Sequence, residues 1–469
     1  MRGKPYTHKH GFEIMRQILF LFSPAFCLLF ASMAAAQTQG NLINETEKKQ
    51  VIDAVGKRLV DFYLYPDVAG KMAALLSKNL DNGVYKTIDD PKIFANRLTG
   101  ELFAVSRDKH LEVLFGPESV SETKKEASRK ETVETINSEL ERGRKNNFGF
   151  KEVKLLEGNI GYLHLTRFYD VKYGGETAAN AMNFLSNADA LIIDLRQNGG
   201  GDSSMVQLLT SYLFDSKPVH LNDFYLRDGE KQTQIQEWTL PYVPGRRRPD
   251  SDVYILTAYR TFSAGEHFVY NLKTFQRATI VGETTGGGAH TVAYQIINDR
   301  FLLKVPNGRP INQVTKSNWE GTGIKPDIET PPGDALLAAQ IKALEKLTAR
   351  TDSPDAKFTY DWHVTALRAK LNPVRIDESL MRSYAGTYTG EYGQRKITFE
   401  NGRLFSQRAG GAKLALIPLA AELFTYEARP ELRLKIVVEN NRVTGLKSIA
   451  NDGSQLDETR DKDEAREKT

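Results

Sequence analysis

The segment Ala190-Leu-Ile-Ile-Asp-Leu-Arg-Gln-Asn-Gly-Gly-Gly-Asp202 decides the fold class of this chain. A short apolar run that ends in a cluster of glycines is typical of a buried strand that turns into a helix, here expected around residues 205–214. The pattern recurs at Val253-Tyr-Ile-Leu-Thr257, which is followed by a helix from about Ser263. Alternating strands and helices of this kind predict an α/β domain, which we place at residues 151–335.

The segments on either side of this core have different patterns. Apolar stripes at helical spacing, with capping residues such as Asn44 and Asp90, predict a helical domain before it. Short strands separated by turn residues predict a small antiparallel β domain after it. The predicted organisation is a signal peptide at 1–36, the helical domain at 37–115, a charged insertion or linker at 116–150, the α/β domain at 151–335, a helix and linker at 336–380, the β domain at 381–455 and a charged tail at 456–469.

The first 36 residues have the three parts of a secretory signal peptide. Basic residues up to Arg16 precede an apolar run at 18–30, and Ala34-Ala-Ala36 provides a cleavage site before Gln37. The run is short for a membrane span, although an uncleaved anchor stays open as an alternative. We therefore expect a secreted or periplasmic protein without a membrane span after cleavage. Cys27, the single cysteine, lies in this segment, so the mature chain would have neither a disulfide nor a thiol nucleophile.

The net charge of the chain excludes one class of partner. The 469 residues carry a formal charge of +4, and the predicted signal peptide, with four basic residues and one acidic residue, accounts for most of it. The remainder is close to neutral and lacks the basic balance that nucleic-acid binding requires. We expect no nucleic-acid partner.

Two turns are candidates for chemistry. Gly199, Gly200 and Gly201 follow the buried strand, and consecutive glycines let backbone N–H groups approach an anion or an oxyanion closely. This segment matches neither a P-loop nor a dinucleotide-binding motif. Ser263, in Thr261-Phe-Ser-Ala-Gly-Glu266, lies where a strand is followed by a helix. A serine there can be a nucleophile beside helix N–H groups, but serine is also a favoured N-cap, and both interpretations stay open.

A nucleophilic serine needs a base and a group that orients the base. His110 and His290 both lie in segments predicted as loops, and either could reach a cleft. His164 and His267 fit a strand face and a helix body, where a structural role is expected. Glu320, between turn-rich segments, is a candidate orienting carboxylate. The histidines show no paired ligand spacing, so we predict no metal site and no cofactor.

Four segments occur in the order found in one peptidase family. They are Asp108-Lys-His-Leu111, Asp194-Leu-Arg-Gln-Asn-Gly-Gly-Gly201, Ser263-Ala-Gly-Glu266 followed by Val281-Gly-Glu-Thr-Thr-Gly286, and Glu320-Gly-Thr-Gly-Ile-Lys-Pro-Asp327. Over about residues 45–335 the chain resembles the C-terminal-processing and tricorn-type serine peptidases. The resemblance implies an α/β core of the crotonase and Clp-protease type. Because 116–150 is too short and too charged for a PDZ-type module, the chain fits the branch that also resembles interphotoreceptor retinoid-binding protein modules.

The resemblance also implies a set of site residues. One branch of the family pairs serine with a lysine in a Gly-Lys-Gly segment, but this chain has Gly286-Gly-Gly-Ala-His290 there. The tricorn-like branch implies instead Ser263 as nucleophile, His110 as general base and acid, and Glu320 as a carboxylate of the charge-relay network. The oxyanion hole would consist of backbone N–H groups of Gly199, Gly200 and Ala264, with His290 as the runner-up base.

The sequence therefore predicts a serine peptidase that hydrolyses peptide or protein substrates through an acyl-enzyme, and it leaves assembly into a homo-oligomer open. Two other interpretations stay open. The same fold can serve as a non-catalytic carrier of hydrophobic ligands, and the C-terminal β domain could be a binding module for glycan or peptide. The coexistence of Ser263, His110 and Glu320 favours the enzyme, because a carrier has no need of all three.

Overall fold

The computed structural model describes residues 42–127 and 133–462. No helix in these two ranges combines the length and the hydropathy of a membrane span. The predicted signal peptide at 1–36 and the end of the predicted tail, from 463, lie outside the described residues.

The N-terminal region is helical. It contains α1 (Glu45–Phe62), α2 (Pro66–Asp81), α3 (Pro91–Ser106), β1 (Glu112–Phe115), α4 (Pro117–Ala127) and α5 (Val133–Lys145). Asn44 caps α1 and Asp90 caps α3 through their side chains, as their positions in the sequence predict. The apolar stripes of α1, α2 and α3 form one core, and Phe301, Leu303 and Val305 of a later strand complete it. The predicted helical region is confirmed, and its core is shared with the central part of the chain.

The central part alternates between strands and helices. It contains β2 (Phe150–Leu156), β3 (Ile160–Leu165), α6 (Val171–Phe184), β4 (Ala190–Asp194), α7 (Ser203–Tyr212), β5 (His220–Asp228), β6 (Lys231–Trp238), β7 (Asp252–Thr257), α8 (Ala264–Thr274), β8 (Thr279–Gly282), β9 (Thr291–Ile296), β10 (Phe301–Asn312) and β11 (Ile328–Glu329), followed by α9 (Ala335–Arg350) and α10 (Pro354–Leu371). The predicted α/β fold class is confirmed by this order and by the sheet that the strands form.

Six of these strands form the first sheet, in the order β11-β8-β7-β4-β3-β2. Every pair in it is parallel except β2 with β3. Helices α6, α7 and α8 cover one face, whereas α9 and α10 cover the other. A parallel strand that is buried on both faces has a continuous apolar sequence, which explains the composition of β4. The carboxyl ends of β4 and β7 lie side by side in this sheet, so the loops that follow them meet.

A second, antiparallel sheet brings the N-terminal helices to the same place. Its order is β1-β10-β5-β6, and β9 also pairs with β10. The first half of β10 carries Phe301, Leu303 and Val305 into the core of the helical region. The second half carries Asn307 and Pro310 into the wall of a cavity that also contains Ser263. Strand β10 therefore connects the helical region to the candidate site.

The C-terminal region is a closed barrel. Helix α11 (Glu378–Tyr384) leads into eight antiparallel strands, β12 (Gly386–Gly390), β13 (Gly393–Glu400), β14 (Arg403–Arg408), β15 (Lys413–Ala420), β16 (Leu423–Tyr426), β17 (Arg429–Glu439), β18 (Arg442–Ala450) and β19 (Gln455–Arg460). Inside it, the buried Arg395 donates to both carboxylate oxygens of Glu458, at 2.7 and 2.8 Å. A buried charge pair is tolerated when its groups are hydrogen-bonded in this way. The predicted antiparallel β region is confirmed, and side chains pack its interior.

Candidate active site

Ser263 lies in a strained turn between β7 and α8. Its backbone angles are φ 53° and ψ −121°, and a residue other than glycine adopts this region only when the surrounding structure imposes it. A serine held in this way at a strand-to-helix turn projects its hydroxyl from the carboxyl edge of a sheet. The Ser263 side chain lines a cavity of about 620 Å³, consistent with that orientation. The backbone strain favours the nucleophile interpretation over a simple helix cap.

Glu266 holds this turn in place. Its buried carboxylate accepts the backbone N–H of Ser263 at 3.0 Å, of Gly287 at 2.7 Å and of Gly288 at 2.8 Å. Burial raises the pKa of Glu266, and the N–H donors oppose that effect by favouring the carboxylate. Sequence reasoning gave Glu266 no role, although a glutamate three residues after a serine at a helix start is the spacing of a capping box.

The glycine turn after β4 touches Ser263. Gly200 has a φ of 114°, and a β-carbon at this position would lie 2.9 Å from Cβ of Ser263 and 3.2 Å from the backbone nitrogen of Ala264. The Gly200 N–H donates to Asn198 at 2.9 Å, so it does not point into an oxyanion hole in this structure. Within the described residues, the N–H groups of Gly199 and Ala264 meet no acceptor. Of the three predicted oxyanion donors, two are therefore free.

His290 is one of two histidines that line the cavity with Ser263, the other being His267. Its Nδ1 lies 2.7 Å from Oδ2 of Asp108 and 3.6 Å from Oε2 of Glu320. Asp108 is itself held by the Tyr63 hydroxyl at 3.3 Å and by the backbone N–H of residue 110 at 3.0 Å. An Nδ1–H directed at a carboxylate leaves Nε2 as the proton acceptor. This arrangement is that of a general base with its orienting acid.

Glu320 lies beside the imidazole of His290 and accepts hydrogen bonds from the backbone at residues 289 and 290. One carboxylate oxygen accepts the backbone N–H of Ala289 at 2.6 Å and of His290 at 3.2 Å, and the other is buried without a partner among the described residues. Burial and the nearby charge of Asp108 raise the pKa of Glu320, while His290 opposes the shift. The predicted carboxylate is thus beside an imidazole, and that imidazole is His290.

His110 is in a different environment. Its ring packs on Phe262 with 4.7 Å between centroids, and neither ring nitrogen has a hydrogen-bond partner among the described residues. Burial and the charge of Lys304 lower the pKa of His110 to about 4. His110 is not part of the cavity lining, in contrast to His290. The structure therefore places the predicted base next to the site, with its imidazole neutral and enclosed.

Asp108, His290 and Glu320 also meet a geometric requirement for binding a cation. One side-chain donor atom from each lies within 4.8 Å of the other two. The absence of paired spacing in the sequence did not indicate this group, because its members come from three distant segments. A cation bound here would take the place of the hydrogen bond between Nδ1 of His290 and Asp108, which is 2.7 Å long.

The floor of the cavity contains a second histidine and carboxylate. His267, in α8, lies 2.8 Å from the buried carboxylate of Glu237, and Asn222 donates to the same carboxylate at 2.6 Å. Trp319 stacks against the His267 ring at 6.0 Å. These contacts tie α8 to β5 and β6.

Fold and site together define a class of protein. A strained serine, an imidazole bonded to a carboxylate and free backbone N–H groups converge at the carboxyl edge of a parallel sheet, which is the arrangement of a serine hydrolase. Residues 159–330 match the sequence model of peptidase family S41, and residues 33–146 match the model of the N-terminal domain of peptidase S41 in eukaryotic IRBP. The chain therefore contains a peptidase family S41 domain preceded by an S41 N-terminal domain, and it is a serine-type peptidase.

Three solved structures are similar to this chain at low sequence identity. A lipoprotein from Streptococcus agalactiae is 17% identical with a TM-score of 0.43, and the match covers 64% of this chain and 96% of that one. The photosystem II D1 C-terminal processing protease is 14% identical with a TM-score of 0.39, covering 62% and 94%. The tricorn protease is 15% identical with a TM-score of 0.40, covering 69% of this chain and 37% of that one. The family assignment rests on the two sequence models.

Replacing Gly200 by alanine should inactivate the site without removing any functional group. The added methyl would meet Ser263 and the Ala264 N–H, so we expect a loss of at least about 100-fold in the rate of serine labelling by a fluorophosphonate. Gly70→Ala in α2, where a β-carbon meets nothing within 4 Å, is the matched control. Equal labelling rates for the two variants would contradict the proposed contact.

Because His110 is buried, the free energy of unfolding should decrease in mild acid. Its pKa is about 4 in the folded chain against an ordinary value of 6.5, so the unfolded chain binds more protons between these limits and stability decreases as the pH falls through them. The expected loss between pH 7 and pH 5 is about 2 kcal/mol. His110→Leu should flatten the pH dependence of the urea-unfolding midpoint, and an unchanged slope would show that another group is responsible.

Proposed function

We propose that this protein is a secreted or periplasmic serine endopeptidase that hydrolyses peptide bonds through an acyl-enzyme. One observation carries the proposal: Ser263, in a backbone conformation that only a constraining environment maintains, shares a cavity with His290, whose Nδ1 lies 2.7 Å from the buried carboxylate of Asp108. The pattern of residues 1–36 supports export, because its basic, apolar and small-residue parts are those of a signal peptide.

The acylation step assigns a role to each group. The hydroxyl oxygen of Ser263 attacks the substrate carbonyl while its proton moves to Nε2 of His290. The Nδ1–H of His290 donates to Asp108, whose negative charge stabilises the imidazolium that forms. His290 then returns the proton to the leaving amine as the carbon–nitrogen bond breaks. Water attacks the acyl-enzyme by the same route and regenerates the serine.

This assignment keeps the predicted combination of serine, histidine and acid but favours a different imidazole. His290 faces the cavity and has an orienting carboxylate, whereas His110 has neither. A base with a pKa of about 4, as His110 has here, accepts a proton poorly near neutral pH. Glu320 then acts as a second carboxylate that supports the backbone of residues 289 and 290 and adds negative charge beside the ring.

The free N–H groups of Gly199 and Ala264 are the proposed oxyanion donors. Ala264 follows Ser263 as the first residue of α8, and Gly199 precedes Gly200, the glycine that closely approaches Ser263. A backbone donor aimed at the developing oxyanion contributes roughly 3–4 kcal/mol to the transition state. Ala264 also benefits from the partial positive charge at the start of α8.

Replacing Ser263 should abolish reaction with a fluorophosphonate probe. Ser263→Ala removes the attacking oxygen, so we expect no labelled band in the variant, while Ser203→Ala, a serine that lines the same cavity, keeps the label. Labelling of Ser263→Ala would remove this residue as the nucleophile. Uptake of a hydrophobic ligand by the unmodified protein without any serine labelling would instead favour the carrier function.

The two histidines can be separated by matched substitutions. His290→Ala removes the group that receives the Ser263 proton, and we expect a loss of at least about 1,000-fold in kcat. His110→Leu, which preserves the apolar packing on Phe262, should retain most of the activity at pH 7.5. Loss of activity in His110→Leu together with activity in His290→Ala would reverse the assignment, provided that circular dichroism shows both variants folded.

A further inference from the structure

Strand β6 ends the second sheet beside the catalytic cavity. Among the described residues, β5 is the one strand that pairs with it, so its other edge is open. Ile235, Gln236 and Glu237 of β6 line the same cavity as Ser263. An open edge presents unpaired N–H and C=O groups that an extended chain can bond. The position of this edge next to the nucleophile suggests that it serves the reaction.

The register of the hairpin identifies which backbone groups are free. Asp228 and Lys231 flank the two-residue turn Gly229-Glu230, and residues that flank such a turn exchange ladder hydrogen bonds. Hydrogen-bonded and non-bonded pairs then alternate along an antiparallel ladder, and the pairing has no irregularity between residues 231 and 237. The N–H and C=O groups of Gln232, Gln234 and Gln236 therefore point away from β5, toward the open edge.

The face of the hairpin toward the cavity is apolar. Ile235 pairs with Phe224, and both line the cavity together with Leu226 of β5. Ile235 is 50% exposed, so its apolar surface is accessible to a bound chain. In a strand added at this edge, every second side chain would contact Phe224, Leu226 and Ile235. The same face of β6 continues to the buried Glu237, whose carboxylate lies 2.8 Å from Nε2 of His267.

We propose that β6 is the docking edge for the substrate, which binds as an extended, unfolded segment of polypeptide and adds a strand to the sheet. The inference rests on the proposed peptidase function and deepens it. Recognition is mainly through the main chain, with apolar side chains at alternate positions facing Phe224, Leu226 and Ile235. From Gln232 to Gln236 the edge is about 13 Å long, so a segment of about five residues is sufficient to use it. Folded proteins and segments containing proline at bonded positions are poor substrates.

Proline substitution at the outward-facing positions tests this edge. Proline removes an N–H that points away from β5 and spares the ladder, which edge strands tolerate. In Gln234→Pro, kcat/KM for a tetrapeptide substrate relative to that for a small activated ester should fall at least about ten-fold, since the ester needs no strand pairing. The same substitution at Gln232, which is nearer the turn and three residues before Ile235, the first residue of β6 that lines the cavity, should lower this ratio by less than about three-fold. Equal ratios in Gln234→Pro and the unsubstituted protein would overturn the proposal.

A second experiment leaves the protein unchanged. A peptide substrate is N-methylated at one amide at a time, and kcat/KM is measured for each derivative. Strand addition predicts losses at every second amide, because alternate N–H groups bond to the edge. Losses without this two-residue period would refute strand addition, even if Gln234→Pro failed to fold. Absence of any hydrolysis that depends on Ser263 would instead refute the proposed function, so the two failures are distinguishable.

Discussion

The carboxylate of Glu266 is the interaction on which the site depends. It joins the backbone of Ser263 to Gly287 and Gly288, and so fixes the turn before α8 against the loop that leads to His290. A serine with a φ of 53° would relax to an ordinary helix start without such a constraint. The same carboxylate therefore maintains the strain at the nucleophile and the position of the segment that carries the proposed base. Its burial makes the arrangement costly to open, because the freed N–H groups would lose their partner in a place that water reaches poorly.

The proposed catalytic groups come from parts of the chain that fold around a shared core. Asp108 follows α3, whose apolar stripe packs with Phe301, Leu303 and Val305 of β10. Ser263 follows β7, and His290 directly precedes β9, which pairs with β10. Packing of the helical region against β10 therefore brings Asp108 to His290. The N-terminal region thus supplies the carboxylate that bonds to the proposed base.

Electrostatics distinguishes the two histidines near Ser263. His110 is enclosed by Phe262 and affected by Lys304, and both influences favour its neutral form. His290 has Asp108 and Glu320 beside its Nδ1, and the hydrogen bond to Asp108 orients its ring. The proposed base needs a carboxylate that orients its ring, and only the second environment supplies one. The two rings thus differ in chemistry because of their neighbours, although both follow short loops in the sequence.

The sequence by itself determined the α/β fold class, the helical and barrel regions, the serine at a strand-to-helix turn and the glycine turn beside it, because each depends on local pattern and on the order of apolar runs. It also brought Glu320 into the group of candidates. Only the tertiary structure decided that Asp108 bonds to His290, that the Gly200 N–H is taken by Asn198 and that Glu266 supports the nucleophile. These are contacts between segments up to 182 residues apart, and their partners depend on how the second sheet and the helices pack. Local periodicity carries no information about such pairings, so two histidines in similar loops could not be ranked until their surroundings were known.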